Sequence, residues 1–253
     1  AAGGPGELAP GFDLMRSKEP IPVYDLGRVP YRAALAFQRR AVETRARGES
    51  PDVLYLLEHE PVLTVGRGAK GDNVKAAAAD LERRGIEVVP VERGGDITYH
   101  GPGQLVGYPI VSLAGLPGGT DLHRYLRDLE QALIDTLASF GIEAGRRPPY
   151  TGVWAGDRKV AAIGVAVRRW VAYHGFALNV DPDLSHFDLI HPCGIRHLGV
   201  ASMASLLGEA PPRERVIARL TDAFCRVWER PLLLPGPHEA LPDIPFSQET
   251  THV

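Results

Sequence analysis

Cysteine is nearly absent from this 253-residue chain, which holds only Cys193 and Cys225, without paired-Cys spacing. That excludes a disulfide scaffold and a cysteine zinc finger, and each thiol is judged singly. An excess of one charge is missing too. Twenty-eight Lys and Arg stand against 31 Asp and Glu, and no basic run reaches the length of a polybasic arm, so nothing global favours a nucleic-acid partner. No run approaches the roughly 18 uninterrupted apolar residues of a membrane helix, and the first residues have no apolar core of a signal peptide. The expectation is a cytoplasmic protein with no membrane association. Phosphate-loop, dinucleotide, nucleophile-elbow and HExxH patterns are all missing. His100, His174, His186, His191 and His197 match no metal-ligand spacing, so no metal and no cofactor is expected.

An apolar content of 44% is ample for a core, and a single domain is expected over residues 21–230, with loosely ordered ends at 1–20 and 231–253. Pro30 suits a helix start and Gly48 its stop; the exposed face of that helix carries Arg39, Arg40, Arg45 and Arg47. Short strands are expected at Val53 to Leu57 and Val62 to Val65, then a helix from Val74 to Arg84 with Gly85 ending it. Leu122, Leu126, Leu129, Leu133, Leu137 and Phe140 recur on one face of a helix from Asp121 to Phe140. From Gly152 to Val180 three strands read as a meander, with turns near Gly156-Asp157 and Arg168-Arg169. A last helix from Arg213 to Arg230 buries Val216, Ile217, Leu220, Phe224 and Trp228. Strands and helices do not strictly alternate, so the fold class is α/β of the α+β type, with a mixed β-sheet and flanking helices.

The densest signal is the segment from Arg93 to Tyr108, sixteen residues with five glycines. Entered from Ile86 to Val91 and left through Leu105 to Val111, it reads as two strands joined by glycine-rich turns. Arg93, Thr98, His100 and Gln104 add polar tips that a plain turn does not need. Among nucleophiles, Cys193 stands in a loop bounded by Pro192 and Gly194, whereas Cys225 shares a helix with Phe224 and Trp228 and reads as a structural thiol. A free thiol titrates near pH 8.5, so a catalytic cysteine needs a cation or base beside it. Lys159 shares a strand face with Ala161, Ile163 and Val165; the competing reading is an exposed lysine just after the Asp157-Arg158 turn.

Three ordered motifs resemble the lipoyl(octanoyl) transferase family, which moves octanoyl groups from acyl carrier protein in lipoate biosynthesis. They are Arg93-Gly94-Gly95 with Thr98 to Gln104 and Tyr108, then Lys159 to Gly164 with His174 to Val180, then Pro192-Cys193-Gly194. The resemblance covers about residues 22 to 207. It implies a fold similar to the catalytic domain of biotin and lipoate protein ligases, and a Cys/Lys dyad in which Cys193 is the nucleophile and Lys159 handles protons. It also implies substrate-binding segments at Arg93, Gly94, Gly95, Asp96, Ile97, Thr98, Tyr99 and His100, at Ala162, Ile163 and Gly164, and at Gly175, Phe176 and Ala177. His100 is open between orienting a reacting group and making a structural hydrogen bond.

The implied donor is octanoyl-acyl carrier protein. The implied acceptors are lipoyl domains of 2-oxoacid dehydrogenase complexes or the glycine cleavage H protein, and the molecule is expected to be a monomer. Two competing readings are an ATP-dependent lipoate or biotin ligase, which would tolerate loss of Cys193, and a non-catalytic module holding acyl carrier protein or lipoyl domains through the basic helix.

Overall fold

A computed structural model describes residues 19–69, 73–190 and 198–234. Strand β1 (Ile21–Arg28) buries Ile21 and Val23 on one face, and Pro30 then caps helix α1 (Tyr31–Ala46). With φ −56 and ψ 136, Pro30 stays extended and sits one residue outside the helix. Strands β2 (Val53–Glu58) and β3 (Val62–Val65) fall where the apolar runs place them. Helix α2 is shorter than its periodicity suggests, Ala78–Arg83 rather than from Val74. Val74 instead forms an antiparallel bridge to Ile190, and the amides of Lys75 and Ala76 donate to the Leu189 carbonyl at 2.9 and 3.2 Å. The β-branched valine is better satisfied by pairing and packing than by a free helical turn.

The glycine-rich segment is not one hairpin. It contains its own strand, β5 (Ile97–His100), which pairs antiparallel with β3, while β4 (Glu87–Pro90) pairs parallel with β3's other edge to give a three-stranded sheet β4-β3-β5. Strand β6 (Gln104–Ser112) belongs to the large sheet instead, so residues 101–103 carry the chain from one sheet to the other. Gly103 makes that crossing possible: φ is +82, and a Cβ there would lie 2.2 Å from the Asp181 carbonyl oxygen.

Helix α3 (Leu122–Ala138) is capped by Asp121, whose carboxylate accepts from the Arg124 amide at 3.0 Å. Leu129, Leu133 and Leu137 are fully buried as expected, but Leu122 is 37% exposed because the first turn overhangs the core. Strand β7 (Gly145–Arg147) precedes the meander of β8 (Tyr150–Ala155), β9 (Arg158–Arg168) and β10 (Val171–Asn179). The second turn falls at Arg169-Trp170, one residue later than expected. The short β11 (Gly199–Val200), α4 (Met203–Leu207) with a Ser202/Ser205 capping box, α5 (Arg213–Trp228) and β12 (Leu232–Leu233) complete the chain.

Among the described residues the large sheet has nine strands in the order β12-β1-β2-β6-β10-β9-β8-β7, with β11 on β9. Pairs β1-β2, β1-β12 and β9-β11 are parallel and the others antiparallel, the mixed sheet expected. Leu129 and Leu133 of α3 and Phe224 and Trp228 of α5 cover one face against Leu54, Leu56, Leu105 and Leu178. Ala34, Phe37 and Val42 of α1 cover part of the other against Tyr55, Leu57, Val106 and Tyr108. The sheet continues through Leu232 and Leu233, past residue 230. Arg230, buried, pairs with Asp52 and donates to the Glu19 carbonyl at 3.1 and 2.8 Å. No helix among the described residues is long and apolar enough to cross a membrane.

Candidate active site

The small sheet and the loop before β5 lie against the middle of β9 and β10, and a cavity opens between them. The contact is made by backbone: the Gly94 amide donates to the Val165 carbonyl at 2.9 Å, and Gly164 has no Cβ to strike the Arg93 side chain, which would lie 2.8 Å away. From β9 the cavity wall takes Lys159, Ala162, Ile163 and Gly164; from β10 it takes Gly175, Phe176 and Ala177. These two triplets are register partners, Ala162 with Ala177, Ile163 with Phe176 and Gly164 with Gly175, so segments far apart in sequence form one continuous apolar floor. Arg93, Gly95, Asp96, Ile97, Thr98 and His100 close the opposite side.

Two expected residues do not line the cavity. Gly94 is spent on its backbone bond to β9, and Tyr99 turns away into a separate core, where its hydroxyl lies 2.8 Å from His186 Nδ1 and its ring packs on Phe187. Cys193, with His191 and His197, lies outside the described residues. On either side of it in sequence, Phe187 and Val200 both line the cavity, and Val200 is the register partner of Lys159.

Lys159 is 8% exposed, so the exposed-turn reading is set aside. Its Nζ lies 4.8 Å from the centroid of the Trp154 ring. Arg93 is 7% exposed and acts chiefly as a clamp. Its guanidinium donates to the carbonyls of Asp96 (2.8 Å), Gly94 (3.1 Å) and Thr64 (2.9 Å) and to Thr64 Oγ1 (2.8 Å), fastening the loop to β3.

A buried ring cluster backs the cavity, and sequence reasoning missed half of it. His59 Nδ1 lies 2.7 Å from the Val29 carbonyl, which can only accept, so Nδ1 carries the proton and Nε2 accepts from the Tyr108 hydroxyl at 2.7 Å. Burial pushes His59 down to about 4. Gln104 presents its amide NH2 to Asn179 Oδ1 (2.9 Å) and the Tyr99 carbonyl (3.3 Å), which leaves Oε1 to accept from His100 Nδ1 at 2.8 Å. Burial first, then the neighbouring His59, hold His100 well below its ordinary value, which favours a neutral ring on the cavity wall with Nδ1 donating to Gln104. Asn179 Nδ2 donates to the Ala201 carbonyl (2.9 Å) and the Ala201 amide to that of Lys159 (3.0 Å), so the chain of bonds runs from His100 to the Lys159 backbone.

His174 has φ +54 and sits 3.7 Å from Glu92 Oε2. Burial, then Arg93, lower it to about 4, so at neutral pH the contact is not an ion pair. Tyr31 stacks on His100 at 6.0 Å. Tyr31 and His59 belong to no local motif: His59 meets Val29 and Tyr108, and Tyr31 meets His59 and His100, each far away in sequence from the residue it contacts. Among the described residues no group of three His, Cys, Asp or Glu could hold a metal ion.

The basic face of α1 is largely neutralised: Arg39 bonds Glu92 (2.8 Å), Arg45 bonds Asp52 (2.6 Å) and Arg47 bonds Glu49 (2.7 and 2.6 Å). This weakens the reading of a docking module working through that helix. Cys225 accepts from the Leu232 amide at 3.1 Å, in keeping with a structural thiol.

Residues 30–225 match the lipoyl protein ligase A/B catalytic domain. The chain is 51% identical over 211 residues to the octanoyltransferase of Solibacter usitatus (strain Ellin6076), an alignment covering 83% of this chain and 94% of that one. The chain belongs to the octanoyltransferase family. A second octanoyltransferase, from Myxococcus xanthus, is 50% identical over 215 residues, 83% of this chain and 60% of that longer protein. The octanoyltransferase fold is shared with lipoate-protein ligase A, crystallised with ATP: the TM-score is 0.70 over 86% of this chain and 89% of that one, at 18% identity.

Proposed function

We propose that this octanoyltransferase-family chain moves an octanoyl group from octanoyl-acyl carrier protein to one lysine of a lipoyl-accepting domain, through an octanoyl-Cys193 thioester. The observation that carries the reading is the convergence of Lys159 with the paired triplets 162–164 and 175–177 on one apolar cavity. An eight-carbon tail lies on the Ile163 and Phe176 floor, where small neighbours leave room, with its carbonyl end toward Lys159.

In the first half-reaction Lys159, as the neutral amine, takes the Cys193 proton, and the thiolate attacks the donor carbonyl carbon. The carbon–sulfur bond to the carrier breaks and the departing thiolate takes that proton back from Lys159. In the second half, the acceptor lysine's amine attacks the Cys193 thioester, loses a proton to Lys159, and Cys193 leaves as thiolate. Exchange of one thioester for another is close to isoenergetic, and formation of the amide is downhill, so the sequence of bonds needs no ATP. Lipoyl domains of 2-oxoacid dehydrogenase complexes or the glycine cleavage H protein supply the acceptor lysine. The protein acts as a cytoplasmic monomer.

The fold likeness to a ligase crystallised with ATP keeps adenylate chemistry as the competitor. Incubation with octanoyl-acyl carrier protein, without ATP or acceptor, is expected to add one octanoyl group to the Cys193 peptide by mass spectrometry. Cys193→Ser should abolish both the adduct and transfer. Absence of the adduct with ATP-dependent activity surviving Cys193→Ser would replace this reading with the ligase one.

A further inference from the structure

Trp154 and Lys159 face each other across the β8–β9 hairpin as register partners. The two-residue turn Gly156-Asp157, with Gly156 at φ +57, sets that register. Immediately beyond it the ladder shifts: Val153 pairs with Ala161, so β9 carries one extra residue, the fully buried Val160. A bulge of this kind turns a side chain away from simple alternation and is common beside active sites. Here it lies directly next to Lys159.

The lysine is bounded on two sides. Its Nζ lies 4.8 Å from the indole centroid, and Trp154 is only 4% exposed, so the ammonium formed when Lys159 takes the Cys193 proton meets the ring face where solvent screens it little. Along the stem, Gly152 supplies a lane: a Cβ there would stand 3.5 Å from Lys159 Cε and 2.7 Å from the Ala161 carbonyl oxygen. Gly152 has φ +124, and its amide donates to Glu130 Oε1 at 3.1 Å. Glu130 is fully buried and held by Arg127 (2.6 Å) and Arg146 (2.9 Å), so the lane is fixed from behind.

We infer that Trp154 is a positioning residue for Lys159: its indole face, opposed by the gap at Gly152, fixes the place of the amine on the cavity wall. The inference rests on the reading of Lys159 as the proton carrier, and it acts through that residue rather than on substrate. Its test is a double-mutant cycle on the full chain, measuring the rate of octanoyl-enzyme formation from octanoyl-acyl carrier protein. Trp154→Leu should lower the maximal rate about tenfold, about 1.4 kcal/mol, with the donor KM within about twofold of the starting value. Trp154→Phe, which keeps an aromatic face, should recover to within about threefold.

In a Lys159→Ala background, itself slow, adding Trp154→Leu should slow the reaction no further, because the ring has no amine left to hold. Equal slowing in both backgrounds, or a Trp154→Leu enzyme at full rate, would overturn the inference while leaving Lys159 in its role. Full rate in Lys159→Ala would remove the lysine from the mechanism and the inference with it. Should Trp154→Leu not fold by circular dichroism, the Phe variant carries the same comparison: a loss of about threefold with Lys159 present and none without it.

Discussion

Replacing Arg93 by alanine separates two roles for a residue that the family resemblance places in substrate binding. Among the described residues the guanidinium makes four hydrogen bonds, at 2.8 to 3.1 Å, three to main-chain carbonyls and one to Thr64 Oγ1. Two glycines make room for it, since a Cβ on Gly66 would stand 2.8 Å from its NH1 and one on Gly164 2.8 Å from its Cδ. Hydrogen bonds from a charged donor contribute about 1.5 to 3 kcal/mol each, and they do not add fully when they share one group. At 7% exposure the site gives the stranded carbonyls little water in exchange, so Arg93→Ala is expected to cost about 3 to 5 kcal/mol. For a chain of this size that lowers the melting temperature by roughly 10 °C. Arg93→Lys should recover less than half, because one ammonium cannot span both the loop carbonyls and Thr64. The assay is urea unfolding followed by circular dichroism, paired with the donor KM measured well below the melting point. Stability within about 1 kcal/mol of the parent together with a donor KM raised about tenfold or more would refute the clamp and make Arg93 a substrate ligand.

Two further outcomes follow from the same wall of the cavity. Gly107→Ala puts a methyl 2.1 Å from Phe176 Cζ, and that ring is already stacked on Phe224 at 5.6 Å; overpacking should cost about 1 to 3 kcal/mol and push the ring into the acyl floor, raising the donor KM severalfold, whereas an unchanged melt and KM would contradict the packing. Stability should also fall on mild acidification. His59 and His174 titrate at about 4 when folded and near 6.5 when unfolded, so the unfolded chain binds more protons between those values, and the stabilisation present above pH 6.5 drains as pH falls toward 4. Between pH 7 and pH 5 each histidine accounts for about 2 kcal/mol, and urea midpoints that coincide at the two pH values would show that the rings are not buried neutral.

What sequence could tell about this molecule depended on whether a signal was local. Helices α3 and α5 are legible because Leu129, Leu133 and Leu137, or Leu220, Phe224 and Trp228, recur at helical spacing and need no partner to be recognised. The ring cluster is not legible in that way. His59 is explained only by Val29 and Tyr108, 30 and 49 residues away in sequence, and no spacing rule connects them. The glycines of 94 to 103 announce turns without saying which sheet each strand joins, so one hairpin was expected where the chain crosses between two.

The acyl floor shows the same limit at finer scale. The resemblance supplied both triplets, but their contact depends on the β9–β10 register, and a turn one residue earlier would set Ala162 against Gly175 instead of Ala177. The turn that fixes the register is Arg169-Trp170, with φ +49 and +61, positions where Asn or Gly is the usual cue. Neither residue advertises it. The floor of the cavity is therefore set by a turn whose conformation tertiary pairing imposes, including the bond from the Leu113 amide to the Trp170 carbonyl at 2.9 Å, and not by any preference its two residues carry on their own.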